Sequence, residues 1–537
     1  MKTWRMHGPW LAAASVTIVA IVGVGLTACS DDSRMTATPP TEVPATDALA
    51  TSPEATQATA AQASNTAAPA ANNLILLKTE PDTGGIGDGF TVSGEGFAAS
   101  AEVEFIWVTW DGDYVTEVHP ADVKYIDRKW TEKRVSLGKA QADAAGKVTA
   151  SFTVPDDFGE THDIFAVVDG EDTGKAGYRV LRTVTFSPTE GPVGTPINIT
   201  VKGMGVKSFE STMATLYDHR YTGFIAGTRT RGTAQFQIRA AGPVGDHLVE
   251  VIGAATAMPY LNNWQSPTKA IPWEFRTAFK VTADNGAPPD SVDWPAPDVV
   301  TTLPAGEHRT GYAIDPPPTG TAILEPGTGP ILTEAALTAE GLPPNADLDL
   351  VWVTAAGSDV NGWDVTGVPL SKATSTADGK LTTSVEIPEG LGGWHVLRVA
   401  QADTVLAEAP FRIDRSMIGA SPRKVKAGET VVVQIKGLGW TQIDNGVGVT
   451  YDNAYIGFAC GFGTGGDITI KLTASGGLGT HLVDLYPMIY QGARGLQGTA
   501  KPPWTYQVPF LNALWDYPGL PLGYNLPIFR FAFEIVP

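Results

Sequence analysis

Two stretches of this chain are copies of each other. Residues 187–250 reappear as residues 421–484 at a constant offset and without a gap, so that GDHLVE at 245–250 returns as GTHLVD at 479–484. Self-similarity at a fixed spacing indicates an array in which each repeat is one structural unit. The fold therefore has to be predicted module by module.

Four similar openings divide the chain into modules. Each opening is a proline, a glycine-rich turn, an alternating apolar strand and a second glycine-bounded turn, and the four prolines are Pro81, Pro188, Pro326 and Pro422. The first and third modules also match, because AEVEFIWVT at 101–109 aligns with ADLDLVWVT at 346–354. The chain is thus one A-B unit followed by a second A-B unit.

These matches and the local composition predict the order of segments. The order is a signal peptide at 1–28, a flexible Thr/Ala/Pro-rich tether at 29–73, module A1 at 74–183, module B1 at 184–283, a Pro-rich spacer at 284–320, module A2 at 321–414 and module B2 at 415–537. Pro-rich spacers are semi-extended and carry few contacts across them. We therefore expect each A-B unit to fold alone when the chain is cut within residues 290–315.

Each module has short strands, closely spaced turn residues and no helical period. This pattern predicts an all-β protein of four tandem immunoglobulin-like β-sandwich domains. The opening, Pro-x-Gly followed by Gly-x-Gly and an aromatic residue, resembles that of IPT/TIG-type immunoglobulin-like domains of bacteria. The resemblance covers residues 74–283 and 320–537 at the level of opening motif and strand rhythm. It implies a fold and no reaction.

The N-terminal segment carries an export signal. Lys2 and Arg5 precede an apolar stretch that ends at Leu26, which is the order of a secretory signal peptide. The next residues complete Leu-Thr-Ala-Cys, which resembles a bacterial lipobox and implies that Cys29 is diacylated. We expect an exported protein, lipid-anchored to the membrane at the cell envelope or cell surface. A plain secretory peptide and a short membrane anchor are the alternatives.

Charge excludes one class of partner. The chain has 57 acidic residues against 37 Lys and Arg, a formal net charge of −20. Nucleic-acid binding needs clustered cations to neutralise phosphates, so we expect no nucleic-acid partner. The expected partners are the membrane, through the lipid, and a protein or polysaccharide of the cell envelope.

A set of polar residues recurs in both B modules. Its members are Tyr217, Asp218, His247 and Arg276 in B1 and Tyr451, Asp452, His481 and Arg530 in B2. They could line a paired pocket for a polar ligand, or each could bond loops at the end of its own sandwich, as buried polar groups must. The two histidines also have counterparts in the A modules, His162 and His395. The imidazoles could therefore be metal or acid-base groups, or strand-entry residues that bond a neighbouring loop.

Module B2 has an insertion that B1 lacks. The offset between the copies changes after His481 and indicates about 20 extra residues, within 486–527. The aromatic residues of this insertion could stack on sugars or anchor a protein partner, or the segment could fold back and cover an open end of its own sandwich. The candidate binding residues are Trp504, Tyr506, Trp515, Tyr517 and Tyr524.

Recognisable catalytic motifs are nearly absent. GFGTGG at 461–466 fits Gly-x-Gly-x-x-Gly, but it lies between two strands and its counterpart at 227–232 reads GTRTRG, so we interpret it as a turn. Asp111 and Asp113 supply too few oxygens for a calcium site. We expect no catalytic residue, no metal and no cofactor. With Cys29 modified we also expect no intramolecular disulfide, because Cys460 is the one other cysteine.

The sequence thus favours a non-enzymatic, lipid-anchored envelope protein. Such a protein would present binding or scaffolding surfaces to another envelope component or an extracellular polymer. One alternative is a metal-assisted or acid-base carbohydrate-active enzyme that uses the Asp, His and Arg of the B modules. A second alternative is a passive stalk or assembly subunit.

Overall fold

The computed structural model describes residues 74–119, 122–207, 210–255, 257–261, 274–297, 299, 317–358, 362–490 and 507–537. These residues form strands and two short 3-10 helices, Phe462–Thr464 and Leu520–Leu522, and no α-helix. Within the same residues, no helix is long and apolar enough to cross a membrane.

The first A-B unit contains two pairs of facing sheets. Module A1 is built from β1 (Ile75–Leu76), β2 (Lys78–Glu80), β3 (Thr83–Gly85), β4 (Gly89–Glu95), β5 (Glu102–His119), β6 (Asp122–Gln141), β7 (Lys147–Thr153), β8 (Glu160–Val168) and β9 (Glu171–Leu181). Module B1 is built from β10 (Thr183–Ser187), β11 (Glu190–Gly191), β12 (Pro196–Lys202), β13 (Thr212–Tyr217), β14 (Arg220–Ala226), β15 (Ala234–Arg239), β16 (Gly245–Ala255), β17 (Met258–Pro259) and β18 (Glu274–Val281).

In each of these modules a smaller and a larger sheet form the sandwich. The smaller sheets have the orders β2-β4-β7 and β10-β12-β15. The larger sheets have the orders β1-β9-β8-β5-β6 and β11-β18-β16-β13-β14, with β3 added on β9 and β17 on β16. Strand β14 is therefore the last strand at one edge of its sheet.

The second unit repeats this architecture. A short strand of the spacer, β19 (Ser291–Asp293), comes first. Module A2 contains β20 (Thr321–Glu325), β21 (Thr328–Gly329), β22 (Glu334–Glu340), β23 (Asp347–Ser358), β24 (Gly362–Thr374), β25 (Leu381–Glu386), β26 (Gly393–Gln401) and β27 (Thr404–Ile413). Module B2 contains β28 (Ser416–Ser421), β29 (Lys424–Lys426), β30 (Thr430–Lys436), β31 (Gly446–Tyr451), β32 (Ala454–Cys460), β33 (Ile468–Thr473), β34 (Gly479–Pro487) and β35 (Ile528–Val536).

The sheets of the second unit follow the same plan. The smaller sheets have the orders β20-β22-β25 and β28-β30-β33, and the larger ones β21-β27-β26-β23-β24 and β19-β35-β34-β31-β32, with β29 added on β35. Corresponding strands of B1 and B2 coincide at the offset read from the sequence, for example β13 with β31. The peptide bond before each of the four opening prolines is cis. The predicted all-β fold of tandem β-sandwiches is confirmed.

Alternation of side chains builds each core. In β22 buried and exposed residues alternate strictly, and Ala335, Leu337 and Ala339 face the interior of A2. Successive side chains of a strand point to opposite faces, so the apolar half of the pattern packs between the two sheets. Each fully buried Leu, Val or Phe contributes about 1.5–3 kcal/mol.

Each A module meets its B module in the same tight elbow. The Gly159 N–H donates to the Met204 carbonyl at 3.1 Å, and the Gly392 N–H donates to the Leu438 carbonyl at 2.8 Å. A Cβ on Gly159 would lie 1.9 Å from the carbonyl oxygen of Gly203, and a Cβ on Gly392 would lie 1.8 Å from that of Gly437. No side chain fits such a gap, so glycine is required at both elbows.

The spacer is part of the fold over its first half. Strand β19 pairs antiparallel with β35, with Ser291 opposite Arg530. Asp290 accepts from Arg423 at 2.6 Å, and the Asp284 carboxylate accepts from the Thr480 N–H at 2.7 Å. These contacts correct the expectation of a spacer with few contacts across it, because residues 284–293 pair and bond with B2.

A buried cluster of charges joins B1 to B2. Arg239 of B1 donates from Nε to the Asp484 carboxylate of B2 at 3.3 Å and from Nη2 to the Phe531 carbonyl at 2.7 Å. Arg530 donates to the same Asp484 at 3.1 Å and to Asp293 of the spacer at 2.6 Å. Two guanidinium groups thus balance two carboxylates. Arg239, Asp484 and Arg530 are 6%, 2% and 4% exposed.

This cluster predicts that the two A-B units stabilise each other. Arg239→Ala should lower the free energy of unfolding of the full chain by about 3 kcal/mol, because it leaves Asp484 buried with half of its positive partners. The control is Arg134→Ala, which breaks an exposed ion pair to Asp172 in A1 and should cost less than about 1 kcal/mol. Chemical denaturation measures both. Equal, small losses would contradict a stabilising interface between the units.

Candidate ligand-binding cleft

One histidine in each module ties the entry of a strand to a neighbouring loop. In all four modules the imidazole Nε2 donates to the carbonyl of the residue four positions earlier, at 2.8–2.9 Å. Each ring also lies against an aromatic side chain, with ring centroids 4.4–5.5 Å apart. The four histidines, which we call the histidine latches, are His162, His247, His395 and His481.

The other ring nitrogen distinguishes the B modules from the A modules. In B1 and B2, Nδ1 of His247 and His481 lies 2.7 Å from the carboxylate of Asp218 or Asp452. Both ring nitrogens of each histidine therefore face a hydrogen-bond acceptor, a carbonyl at Nε2 and a carboxylate at Nδ1. Burial opposes protonation of His481, but its hydrogen bond to Asp452 and the charge of that carboxylate outweigh burial and raise its pKa.

In module A2 the same latch is neutral. Nδ1 of His395 faces the carbonyl of Val353 at 3.3 Å, and Nε2 the carbonyl of Leu391 at 2.8 Å. Burial is the largest influence and, despite the backbone hydrogen bonds, lowers the pKa of His395 to about 4. Among the residues that the structure describes, only backbone groups bond this ring, and no carboxylate stabilises its charged form.

The arginines of the predicted polar set do not join the latches. Arg276 donates to Glu250 at 2.8 Å, and Arg530 belongs to the buried charge cluster. Tyr217 and Tyr451 bond the carbonyls of Ala241 and Ser475 at 2.8 and 2.7 Å. In each B module the Asp and His thus share one network and the Arg belongs to another, so the residues do not converge on the paired pocket that was one of the two alternatives.

The described part of the B2 insertion lies mostly in the interior. Tyr517 is 0% exposed with its hydroxyl 2.6 Å from the carbonyls of Ile443 and Met488, and Tyr524 is 2% exposed. Neither ring can be presented to a ligand, so for these two residues the expectation of exposed binding aromatics is corrected. Trp515 is partly exposed. Trp504 and Tyr506 lie outside the described residues.

The insertion covers the free edge of module B1. Phe224 of β14 donates its N–H to the Pro509 carbonyl at 2.9 Å and accepts from the Leu511 N–H at 2.9 Å. The side chain of Asn512 then accepts from the Ala226 N–H at 3.0 Å and donates to the Ala226 carbonyl at 2.6 Å. Unpaired edge strands invite aggregation, and covering them is one common remedy.

The insertion also reaches both A modules. The Trp394 indole of A2 donates to the Leu522 carbonyl at 3.1 Å. The Tyr114 hydroxyl of A1 donates to Asp516 at 3.2 Å, and the same carboxylate accepts the N–H groups of Thr228 and Arg229 of B1 at 2.7 and 2.8 Å. The inserted segment therefore contacts every other module.

A cleft of about 620 Å³ opens where these elements meet. One wall is the hairpin β5–β6 of A1. Its two strands have 18 and 20 residues, whereas those of the corresponding hairpin β23–β24 of A2 have 12 and 13. The other walls are the 227–232 turn of B1, Val299 of the spacer and Trp515. We call this space the Trp515 cleft. Its charged and polar lining residues are Asp111, Asp113, Lys129, Thr131, Arg229 and Arg231.

The carboxylates of the Trp515 cleft are neutralised by neighbouring cations. Asp111 accepts from Lys133 at 2.9 Å and from Arg231 at 3.0 Å. Asp113 lies 3.5 Å from Arg229 Nε. Among the residues that the structure describes, no group of three His, Cys, Asp or Glu side chains could hold a metal ion. The arrangement suits a polar ligand held by cations beside an aromatic ring.

Cys460 is partly buried at the end of β32 and is not a free thiol. The sequence has two cysteines, and the other, Cys29, lies outside the described residues.

Comparison with known proteins adds little to this geometry. No protein-family model and no curated protein matches the chain. The α2-macroglobulin of E. coli is similar at 9% identity and a TM-score of 0.17, over 85% of this chain and 30% of that one. The ICAM-5 D1-D4 ectodomain fragment is similar at 9% identity and a TM-score of 0.17, over 86% of this chain and 100% of that one. The Bacteroides ovatus protein SGBP-B, in complex with a mixed-linkage heptasaccharide, is similar at 12% identity and a TM-score of 0.13, over 57% of this chain and 64% of that one. The chain thus spans 30% of the α2-macroglobulin's length. At these TM-scores the similarity carries no argument.

Sequence reasoning missed the cleft residues outside the insertion. Two signals were present. The spacing from the Trp107 strand to Gly146 is longer than that from the Trp352 strand to Gly379, which reflects the extended hairpin of A1. The turn of B1 also carries arginine where B2 has glycine.

The latches predict opposite pH dependence in one chain. A raised pKa means that His481 contributes stability that is fully present below its unfolded pKa, near 6.5, and is lost as pH rises through its folded pKa. A lowered pKa means that the contribution of His395 is present above pH 6.5 and is lost as pH falls towards 4.

Thermal unfolding of His481→Gln and His395→Gln across pH checks this. The deficit in melting temperature of His481→Gln against the unmutated chain should shrink as pH rises above 6.5. That of His395→Gln should shrink as pH falls below 6.5. Parallel pH profiles for the two variants would contradict the assignment of a charged latch in B2 and a neutral latch in A2.

Proposed function

We propose that this protein is a non-enzymatic, lipid-anchored protein of the cell envelope that binds an envelope component or extracellular polymer in the Trp515 cleft. The observation that carries the proposal is the construction of that cleft. Its walls come from the parts in which the repeated modules differ: the extended hairpin of A1, the arginine-bearing turn of B1 and the insertion of B2. Binding residues are commonly carried on loops that a rigid scaffold positions.

The sequence supports export and anchoring. A basic N-terminus, an apolar stretch and the Leu-Thr-Ala-Cys at 26–29 have the order that a lipoprotein signal requires. The Thr/Ala/Pro-rich residues up to 73 are too poor in apolar side chains to offset the entropy of ordering. Such a tether would hold the modules clear of the membrane surface.

The geometry disfavours the enzymatic alternative. General acid-base chemistry needs its groups within hydrogen-bond reach of one substrate. In B2 both nitrogens of His481 are occupied by Asp452 and a backbone carbonyl, and Arg530 is committed to Asp484 and Asp293. A passive stalk needs no cleft, and the cleft therefore favours a binding role over a stalk.

Lipid anchoring predicts a clear effect of Cys29→Ser. The variant should leave the membrane fraction or accumulate unprocessed, because two acyl chains are needed for stable retention and serine cannot be acylated in this way. Cell fractionation and the mass of the N-terminal peptide measure this. Membrane retention of the processed variant would contradict the anchor, and so would a disulfide-linked peptide pair that contains Cys29 and Cys460.

Ligand binding in the cleft predicts different effects for Trp515 and for a latch. Trp515→Ala should weaken retention of the mature, detergent-solubilised protein on the insoluble polymer of the cell envelope by about 2 kcal/mol, with little change in melting temperature, because the ring is partly exposed at the cleft wall. His481→Ala should lower the melting temperature. At temperatures below its own melting temperature, this variant should be retained on the polymer as well as the unmutated protein is. A Trp515→Ala variant that loses stability but keeps its retention would place the binding surface elsewhere.

A further inference from the structure

One residue of the Trp515 cleft has a backbone conformation that arginine disfavours. Arg231 adopts φ of 49°, in the left-handed region, and its counterpart in B2 is Gly465 with φ of 62°. Residues with a Cβ are sterically disfavoured in this region, whereas glycine enters it freely. The turn is compatible with glycine in one copy, so backbone preference does not explain the arginine in the other.

The contacts of the Arg231 side chain do not explain why this position is an arginine either. Its Nη2 lies 3.0 Å from Asp111, but the two side chains are 43% and 51% exposed. Exposed ion pairs contribute little to stability. Asp111 also has a second partner in Lys133 at 2.9 Å. Neither the backbone nor this ion pair therefore accounts for the arginine at position 231, which leaves its place in the cleft wall to be explained.

The neighbouring position repeats the pattern. Arg229, two residues earlier, corresponds to Gly463 in B2. Both arginines line the cleft, together with the exposed Lys129. The turn of B1 thus places two guanidinium groups where the turn of B2 has none.

The local charge contrasts with the charge of the whole protein. The cations of the cleft are Lys129, Arg229, Arg231 and the adjoining Lys133, and the carboxylates are Asp111, Asp113 and the underlying Asp516. The cations exceed the carboxylates by one, in a chain of net charge −20. A positive cleft on an acidic surface concentrates anionic ligands.

Trp515 gives the cleft a second chemical character. Its partly exposed indole forms the wall beside the arginines. Aromatic faces offer an apolar surface to flat ligands, and guanidinium groups bind carboxylate and phosphate in a bidentate geometry. The volume of about 620 Å³ is within the range of small-ligand sites.

We propose that the Trp515 cleft binds an anionic sugar segment of a polysaccharide, with a sugar ring against Trp515 and its anionic substituent on Arg229 and Arg231. This inference rests on the proposed function and names its ligand class. The chemistry is shared by sugars that carry a carboxylate and sugars that carry a phosphate.

Arg231→Gly is the decisive variant, because it restores the residue of the second copy and removes only the side chain. The melting temperature should stay the same or rise. Affinity for a short oligogalacturonate should fall about tenfold, the loss expected for a charge-assisted hydrogen bond. The control is Arg220→Ala, which removes the same charge at the opposite end of β14, outside the cleft, and should leave affinity unchanged.

The titrations use the mature protein in detergent with oligogalacturonate, its methyl ester and a sugar phosphate polymer. The two anionic probes should bind, and the neutral ester should bind at least about tenfold more weakly. Equal affinity for acid and ester, or no effect of Arg231→Gly, would overturn the anionic-sugar assignment.

Two further outcomes separate this inference from the proposed function. Polyphosphate or single-stranded DNA that binds more tightly than either sugar probe, and is insensitive to Trp515→Ala, would show a general polyanion site and overturn the inference. Retention on the envelope polymer that depends on Trp515 while no anionic sugar binds would overturn the inference and leave the proposed function standing. If neither retention on the envelope polymer nor binding of an anionic sugar depended on Trp515, both the inference and the proposed function would be overturned.

Discussion

The arrangement of the modules depends on the buried charges between B1 and B2. Asp484 accepts hydrogen bonds from Arg239 of one module and Arg530 of the other, and Arg530 continues to Asp293 of the spacer. Removal of a single partner from such a cluster leaves an uncompensated charge in a medium of low dielectric constant, which is strongly destabilising. The cluster links three segments that are far apart in sequence, and Leu482 and Tyr486 of B2 pack into the apolar core of B1 beside it.

The two copies in this chain differ where they contact each other. Asp484 and its B1 counterpart Glu250 both pair with arginine, but Asp484 faces the other copy, whereas Glu250 pairs with Arg276 of its own module. The insertion of B2 extends the same asymmetry, since it covers the edge strand of B1 and has no equivalent there. The Trp515 cleft is a consequence of these unequal contacts.

The sequence was sufficient for the parts that repeat. The four openings and the strand rhythm depend on local patterns, and periodicity reports local structure well. Local patterns did not predict the positions of Tyr517 and Tyr524. Their ring types suit a binding surface and an interior equally, and only the fold shows that they lie in a buried cluster with residues of A1, B1 and B2 itself.

The interface between the two A-B units could not be predicted from the sequence for a related reason. Arg239 lies at the end of a strand, where an exposed arginine would be ordinary, and nothing local reveals that Asp484 lies beside it. The Pro-rich composition of the spacer predicted a linker, and the pairing of Ser291–Asp293 with β35 overrode that composition. Long-range contacts of this kind are determined by the complementarity of whole surfaces, to which a single residue type is a weak guide.

We infer that the two A-B units and the spacer unfold as one cooperative body. Differential scanning calorimetry of the intact mature protein should then show a single transition in which the calorimetric enthalpy equals the van't Hoff enthalpy. Two or more separate transitions, with enthalpies that match the individual units, would contradict it.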